Sequence, residues 1–139
     1  MLTRSQLTIK PSTLSNAGKG LFTKVFVPKG ALIAEYTGRI STWKELKQLP
    51  DNAYLFYVNR NHVINAKPYS KAPARYANDA RGMSRQKGIT NNAEYVVEKK
   101  RVFIKAIKNI EAGSEVLVGY GREYWDIMRE NRREIVRKS

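Results

Sequence analysis

The segment Arg75-Tyr76-Ala77-Asn78-Asp79-Ala80-Arg81 places a run of polar residues inside otherwise apolar surroundings, and Asn91-Asn92 follow it. Asn and Asp in such a run can close turns, because their side chains hydrogen-bond the nearby backbone. Two glycine-rich spots lie on either side of this segment: Gly18-Lys19-Gly20 opens a predicted strand and Gly119-Tyr120-Gly121 ends another. Glycine lets a backbone approach a ligand closely, since it has no Cβ. Each spot alone is a weak indication of function, and a GxG without a third glycine and a following helix is not a dinucleotide motif.

Short runs of strand-forming residues, bounded by Gly, Pro, Asn and Asp, dominate the chain and predict a β-rich domain. The predicted strands lie at residues 20–27, 31–36, 54–58, 62–66, 94–98, 102–107 and 115–120. We expect the first two to form a hairpin around Pro28-Lys29-Gly30. The next two are expected to form a second hairpin around Asn59-Arg60-Asn61.

Helical signals are fewer. A helix is predicted at residues 42–49, because Thr42 and Glu45 have the spacing of a capping box and Pro50 ends it. The polar stretch at residues 67–90 predicts turns with one short helix. Apolar residues at helical spacing predict an amphipathic C-terminal helix at residues 123–137. The fold class is therefore β-rich α+β, with several small sheets and a C-terminal helix.

Length and composition exclude several classes of protein. The chain has 139 residues, the size of one domain, and 42% of them are hydrophobic. No run approaches the roughly 18 apolar residues needed to cross a bilayer, and the N-terminus resembles no secretory signal. We therefore expect a soluble protein in the cytoplasm, or in the nucleus if it is eukaryotic or acts in a host. With no cysteine and His62 as the only histidine, thiolate zinc sites, cysteine nucleophiles and histidine clusters are excluded, so we expect no metal.

The charge balance is strongly basic. Lys and Arg number 26 against 12 Asp and Glu, a net charge of +14. Much of the excess lies in the body of the chain, since residues 67–108 carry 11 basic and three acidic residues. Such a surface attracts nucleic acid, acidic protein, or basic protein bound to nucleic acid. A solubilising surface without any partner remains an alternative.

Six motifs follow one another along the chain. They are Gly18-Lys19-Gly20-Leu21-Phe22, Glu35-Tyr36-Thr37-Gly38, Tyr54-Leu55-Phe56, Arg75-Tyr76-Ala77-Asn78-Asp79, Asn91-Asn92-Ala93-Glu94-Tyr95 and Glu115-Val116-Leu117-Val118-Gly119-Tyr120-Gly121. Their order and spacing resemble the GxG, YxG, YxF, RFxNH, PNxxY and ELxxxYG segments of the SET domain family of S-adenosylmethionine-dependent protein lysine methyltransferases. The resemblance covers about residues 7–125. It implies a SET fold of small sheets with a pseudo-knot, in which the Asn78 segment and the Tyr120 strand cross.

The resemblance also implies the domain boundaries and the site residues. Residues 1–121 would be the SET domain, and residues 122–139 a helical extension that completes the cofactor and lysine-channel side. Tyr120 would supply the hydroxyl nearest the transferred methyl group, and Tyr36 and Tyr95 would orient the amine. The channel for the substrate lysine would be lined by Tyr36, Tyr95, Val118 and Tyr124. The cofactor S-adenosyl-L-methionine would lie against Gly18, Lys19, Gly20, Tyr54, Arg75, Tyr76, Asn78, Asp79, Tyr120 and Trp125.

Three substitutions depart from the family pattern. Asp79 and Ala80 stand where the family has histidine and serine, and Asn91 replaces its proline. The cysteine-rich post-SET segment is absent, so Tyr124 and Trp125 are expected to close the site. Trp125 either stacks on the adenine ring or anchors the C-terminal helix to the core, and both readings remain open.

The partner and product expectations follow from the same resemblance. A protein substrate is expected to bind as an extended, added strand, and histone-like or ribosomal proteins both fit the basic surface. The Tyr95 hydroxyl on one channel wall predicts mainly monomethylation, although Val118 leaves space on the other. Two alternatives remain: a basic nucleic-acid-binding β-module, which the charge and the aromatic residues favour, and a catalytically inactive SET-like interaction domain, which Asp79 suggests.

Overall fold

The computed structural model describes residues 1–46, 54–81 and 87–119. Its strands are β1 Leu7–Pro11, β2 Lys19–Thr23, β3 Leu32–Glu35, β4 Arg39–Ser41, β5 Leu55–Asn59, β6 His62–Asn65, β7 Ala93–Glu98, β8 Arg101–Ala106 and β9 Val118–Gly119. The helix α1 spans Trp43–Leu46, and 3₁₀ turns lie at Arg4–Gln6 and Pro73–Tyr76. The chain forms two compact units. The first comprises residues 1–36 and 73–119, and the described part of the second comprises residues 37–46 and 54–72.

The first unit contains two small sheets. Strands β1 and β2 pair antiparallel, and a four-stranded sheet has the order β3-β8-β7-β9. The β9 strand runs parallel to β7, whereas the other pairs in this sheet are antiparallel. Alternating apolar residues of β8 point into the core, where Val102 and Ile104 are fully buried. Val116 and Val118 are also fully buried, so the last described segment of the chain lies inside this unit.

The predicted hairpin between residues 20–27 and 31–36 is wrong. Strand β2 pairs with β1, a strand that the sequence patterns did not indicate, and β3 pairs with β8. The turn at Pro28-Lys29-Gly30 is present, but its backbone bonds the distant segment 106–110: Lys29 N donates to Asn109 Oδ1 and Gly30 N to Ala106 O. A turn reverses the chain, but the neighbouring strands that complete the sheet come from elsewhere in the sequence.

The second unit contains the sheet β4-β6-β5 and the helix α1. The predicted hairpin around Asn59-Arg60-Asn61 is confirmed, since β5 and β6 pair antiparallel. The capping box is also confirmed: Glu45 N donates to Thr42 Oγ1 at 3.3 Å, and Thr42 N donates to Glu45 Oε1 at 3.3 Å. The apolar face of α1 packs through Leu46 against the sheet residues Leu55 and Val63.

Several sequence predictions lie outside the described residues. The end of the helix predicted at residues 42–49 and the whole C-terminal helix at residues 123–137 are among them. The short helix expected within residues 67–90 is present as the 3₁₀ turn Pro73–Tyr76. Within the described ranges, no helix has the length and apolar character of a membrane span.

Candidate active site

The last described segment, residues 115–119, crosses between three other parts of the first unit. Its Val116 N donates to Leu21 O at 2.7 Å, which attaches it to β2. Val118 N donates to Asn78 O at 2.9 Å, and Leu117 forms a parallel bridge with Asn78. On its other side, β9 pairs with the start of β7. This crossing is the one expected between the Asn78 segment and the strand that leads to Tyr120.

The Asn78 side chain ties two of these parts together. Its amide Nδ2 donates to Lys19 O at 3.0 Å and to Glu115 Oε2 at 3.4 Å. Asn78 therefore contacts the GxG-like strand start with its side chain and β9 with its backbone. Since both of these amide bonds go to protein atoms, the main structural role of Asn78 is to position its neighbours.

Glu115 lies at the centre of the crossing and is only 5% exposed. Its Oε2 accepts a hydrogen bond from Ser12 Oγ at 2.7 Å, and its Oε1 accepts from Thr13 N at 2.8 Å and Thr13 Oγ1 at 2.6 Å. Together with Asn78, these groups give the carboxylate four donors. Among the described residues no basic side chain forms an ion pair with Glu115. A buried charge without donors is costly, so this carboxylate is stabilised by dipoles rather than by a cation.

Gly20 explains part of the GxG-like motif. A Cβ built on Gly20 would lie 2.2 Å from Glu115 Oε2 and 3.3 Å from Ser12 Cα. No side chain fits at this position while Glu115 keeps its place. Gly20 is therefore required by packing against the buried carboxylate, whereas Gly18 has a left-handed backbone with φ of 70° and open space beside it.

Two departures from the family pattern are hydrogen-bonded to each other. Asn91 Nδ2 donates to Asp79 Oδ1 at 2.9 Å, and Asn91 Oδ1 accepts from Ala80 N at 2.7 Å. The same Asp79 oxygen accepts from Arg81 N at 2.8 Å. Asp79 is only 7% exposed, and its carboxylate accepts these hydrogen bonds from within the protein. The side chains at these two positions are therefore hydrogen-bond partners.

Asn92 extends the sheet with its side chain. Its Nδ2 donates to Glu115 O at 2.8 Å, and its Oδ1 accepts from Leu117 N at 2.9 Å. The side-chain amide thereby satisfies a backbone donor and a backbone acceptor that would otherwise lack partners at the crossing. From the residues themselves, the sequence suggested turn closure for Asn91 and Asn92, which also begin the segment that resembles PNxxY.

Two of the predicted channel tyrosines are in contact. The rings of Tyr36 and Tyr95 meet edge to face, with centroids 6.0 Å apart and an interplanar angle of 86°. Tyr36 is buried, Tyr95 is half-buried, and Tyr36 N donates to Val102 O at 2.8 Å. Tyr95 lies on β7 one residue beyond the Glu94–Gly119 pair. Val118, the third predicted channel residue of this unit, is fully buried.

The remaining predicted site residues are distributed unevenly. Lys19 is exposed at the start of β2, and Arg75 and Tyr76 lie on the 3₁₀ turn before Asn78, with the guanidinium 4.8 Å from the Tyr76 ring centroid. Tyr54 belongs to the second unit. Tyr120, Tyr124 and Trp125 lie outside the described residues.

The family model of the SET domain matches residues 18–121. This chain belongs to the SET domain family. SET domains are generally protein lysine methyltransferases. The matched segment contains all six motifs.

A solved structure supports the same fold. The methyltransferase domain of human PR domain-containing protein 2 superposes with a TM-score of 0.63 and 22% sequence identity, over 84% of this chain and 78% of that chain. No curated protein sequence matches the chain significantly. The predicted SET fold of small sheets is therefore confirmed for the described part of the chain.

Sequence reasoning missed the residues that bind Glu115. Ser12 and Thr13 lie before the matched family segment and carry no motif of their own. One signal was available, since a glutamate in an apolar run such as Glu115-Val116-Leu117-Val118 needs hydrogen-bond donors when it is buried. Within the described ranges, no three His, Cys, Asp or Glu side chains are grouped as a metal site.

Proposed function

We propose that this SET domain transfers a methyl group from S-adenosyl-L-methionine to a lysine side chain of a protein substrate. The observation that carries the proposal is the Tyr36–Tyr95 ring pair beside the β7–β9 ladder, in a chain that matches the family over residues 18–121. Two neighbouring aromatic walls at the end of the strand leading to Tyr120 suit a narrow channel for an alkylamine.

The backbone at the start of β2 suits a closely bound cofactor. Gly18 is exposed, and nothing lies within 4 Å of the position where a Cβ would be. In the first unit the cofactor would be held by Gly18, Lys19, Gly20, Arg75 and Tyr76. Asn78 and Asp79 would act by positioning, because their side chains form hydrogen bonds within the protein. The assignment of Tyr54, Tyr120 and Trp125 to the cofactor rests on the sequence motifs alone. When bound, the cofactor supplies a methyl group made electrophilic by its sulfonium sulfur.

The tyrosine pair can prepare the amine. A free lysine has a pKa of about 10.4, and desolvation between aromatic walls lowers it. A deprotonated amine can then attack without a dedicated histidine base, which suits a chain whose only histidine is His62. Alignment of the reacting atoms supplies much of the remaining rate enhancement. In this proposal the Tyr120 hydroxyl lies nearest the methyl group, and the hydroxyls of Tyr36 and Tyr95 orient the amine.

The proposed product is mainly monomethyllysine. A hydroxyl of Tyr95 that holds the amine contributes roughly 1–3 kcal/mol, which outweighs a modest gain of space at Val118. The proposed substrate is a protein bound as an extended peptide, of the histone-like or ribosomal kind. The proposed location is the cytoplasm, or the nucleus of a eukaryotic cell or host.

Calorimetric titration with S-adenosylmethionine and S-adenosylhomocysteine, followed by radiolabelled methyl transfer onto mixed proteins, tests the proposal. Binding and transfer are expected.

Tyr120→Phe should abolish most transfer and leave cofactor affinity within a few-fold. Mass spectrometry of the product should show one methyl group on the lysine, and Tyr95→Phe should shift the product towards two or three methyl groups.

Binding of the cofactor without methyl transfer would identify an inactive interaction domain. The absence of binding would contradict the proposal and favour a nucleic-acid-binding module.

A further inference from the structure

The hairpin between β7 and β8 ends in two lysines. The strands pair as far as Glu98 and Arg101, so Lys99 and Lys100 alone form the loop. Both loop residues have left-handed backbone angles, with φ of 51° for Lys99 and 66° for Lys100. We refer to these two exposed lysines as the basic tip.

The residue types of the basic tip do not suit its backbone. A two-residue hairpin loop with positive φ at both positions strongly prefers Asn-Gly, because glycine has no Cβ and asparagine tolerates the left-handed region better than most residues that have one. Lysine at both positions therefore destabilises the turn relative to Asn-Gly. The backbone of the turn gives no reason for lysine at positions 99 and 100. A role of the two lysine side chains therefore accounts for these residue types.

The base of the hairpin holds the basic tip in place. Arg101 donates two hydrogen bonds to the Glu35 carboxylate, at 2.8 and 3.1 Å, and its guanidinium lies 5.1 Å from the Phe103 ring centroid. The charge of Arg101 is thus paired. Among the described residues, neither Lys99 nor Lys100 has a hydrogen-bond or ion-pair partner for its ammonium group. The loop therefore exposes two unpaired cations, and the contacts of Arg101 hold the base of the hairpin in place.

We propose that the basic tip is a nucleic-acid contact, in which Lys99 and Lys100 bind backbone phosphates. Lysine ammonium groups bind phosphate as point charges without reading sequence. The net charge of +14 attracts a polyanion over a long range, and the tip supplies a specific place of contact. This inference does not require methyl transfer.

Fluorescence anisotropy with a labelled mixed-sequence DNA duplex, measured across salt concentrations, tests the inference. The decisive variant is Lys99→Asn/Lys100→Gly, because it improves the turn while it removes both charges. It should weaken DNA binding about tenfold near 0.1 M salt and lower the slope of log affinity against log salt by about 1.8, roughly 0.9 for each lost phosphate contact. Its melting temperature should rise by about 2–6 °C, so a loss of binding cannot arise from unfolding.

The matched control is Lys24→Asn/Lys29→Asn, which removes two exposed lysines elsewhere in the same unit. It should weaken binding by no more than about twofold. Equal losses in the two double variants would overturn the inference in favour of diffuse charge attraction, and so would a wild-type protein that does not bind the duplex. Tighter binding of a labelled oligoglutamate peptide than of the duplex would assign the tip to an acidic protein instead. A methyltransferase test has no bearing on any of these outcomes.

Discussion

Two carboxylates of the first unit illustrate two ways of stabilising a negative charge. Glu115, at the crossing, is buried and accepts hydrogen bonds from neutral groups of Ser12, Thr13 and Asn78. Glu35, on the edge strand β3, is paired with Arg101, whose side chain is 63% exposed. The first arrangement joins three distant segments of the chain, and the second joins two adjacent strands. Burial makes the first indispensable, because water cannot replace a donor that is removed, whereas water readily replaces Arg101.

The largest effect is expected for Glu115→Gln. The amide keeps the shape but has one acceptor oxygen, and its NH₂ group faces the donors Ser12 Oγ and Asn78 Nδ2. We expect the free energy of unfolding to fall by about 2–4 kcal/mol, measured by urea denaturation. Glu111→Gln, an exposed change four residues earlier in the chain, should stay within about 0.5 kcal/mol of the wild type. Equal midpoints for Glu115→Gln and the wild type would show that the carboxylate charge is not needed at the crossing.

A somewhat smaller loss is expected for Asn78→Ala. It removes the donor to Lys19 O and one donor to Glu115, at a cost of about 1–3 kcal/mol and with loss of cofactor affinity. Asn78→Asp should be worse than alanine, because it brings a second carboxylate beside Glu115. Thermal unfolding and calorimetry measure the two effects, with Asn61→Ala on the exposed hairpin loop as the control. A folded Asn78→Ala protein with normal cofactor affinity would identify Asn78 as an ordinary turn residue.

A coupling of about 1 kcal/mol is expected between Asp79 and Asn91. Each single alanine variant removes the same part-buried hydrogen bond between the two side chains, so the double variant should lose less than the sum of the single losses. A double-mutant cycle by urea denaturation measures this difference. The cycle of Asp79 with Asn61 serves as the reference and should be additive within about 0.5 kcal/mol. Additivity in the first cycle would mean that the two family departures are independent.

The smallest effect is expected for Glu35→Gln. The hydrogen bonds from Arg101 lower the pKa of Glu35, and burial opposes them. Because the folded-state pKa lies below the unfolded value, this pair stabilises the fold above the unfolded pKa and loses its effect as the pH falls through the folded pKa. Melting temperatures at neutral pH should differ by no more than about 2 °C between Glu35→Gln and the wild type, and the difference should vanish in acid. If Glu35→Gln lost as much stability at neutral pH as Glu115→Gln, the exposed ion pair would matter as much as the buried carboxylate.

Local features of the chain were predictable from sequence to different extents. The capping box of Thr42 and Glu45 and the hairpin around Asn59-Arg60-Asn61 both depend on residues a few positions apart, and both predictions are confirmed. The hairpin expected around Pro28-Lys29-Gly30 failed although its turn formed. The strand partners there are set by segments such as 7–11 and 101–106, whose pairing leaves no trace in the spacing of neighbours.

For the candidate site, sequence by itself determined the residue types and their order: the glycines of the GxG-like start, Asn78, and the tyrosines at positions 36 and 95. These were recognisable because a family pattern retains types at characteristic spacings. Only the tertiary structure decided that Glu115 is bound by Ser12 and Thr13, 103 and 102 residues away, and that Asp79 and Asn91 are partners. The physical reason is that a hydrogen bond depends on distance and direction in space, and these arise only when burial of the apolar core has brought remote segments together.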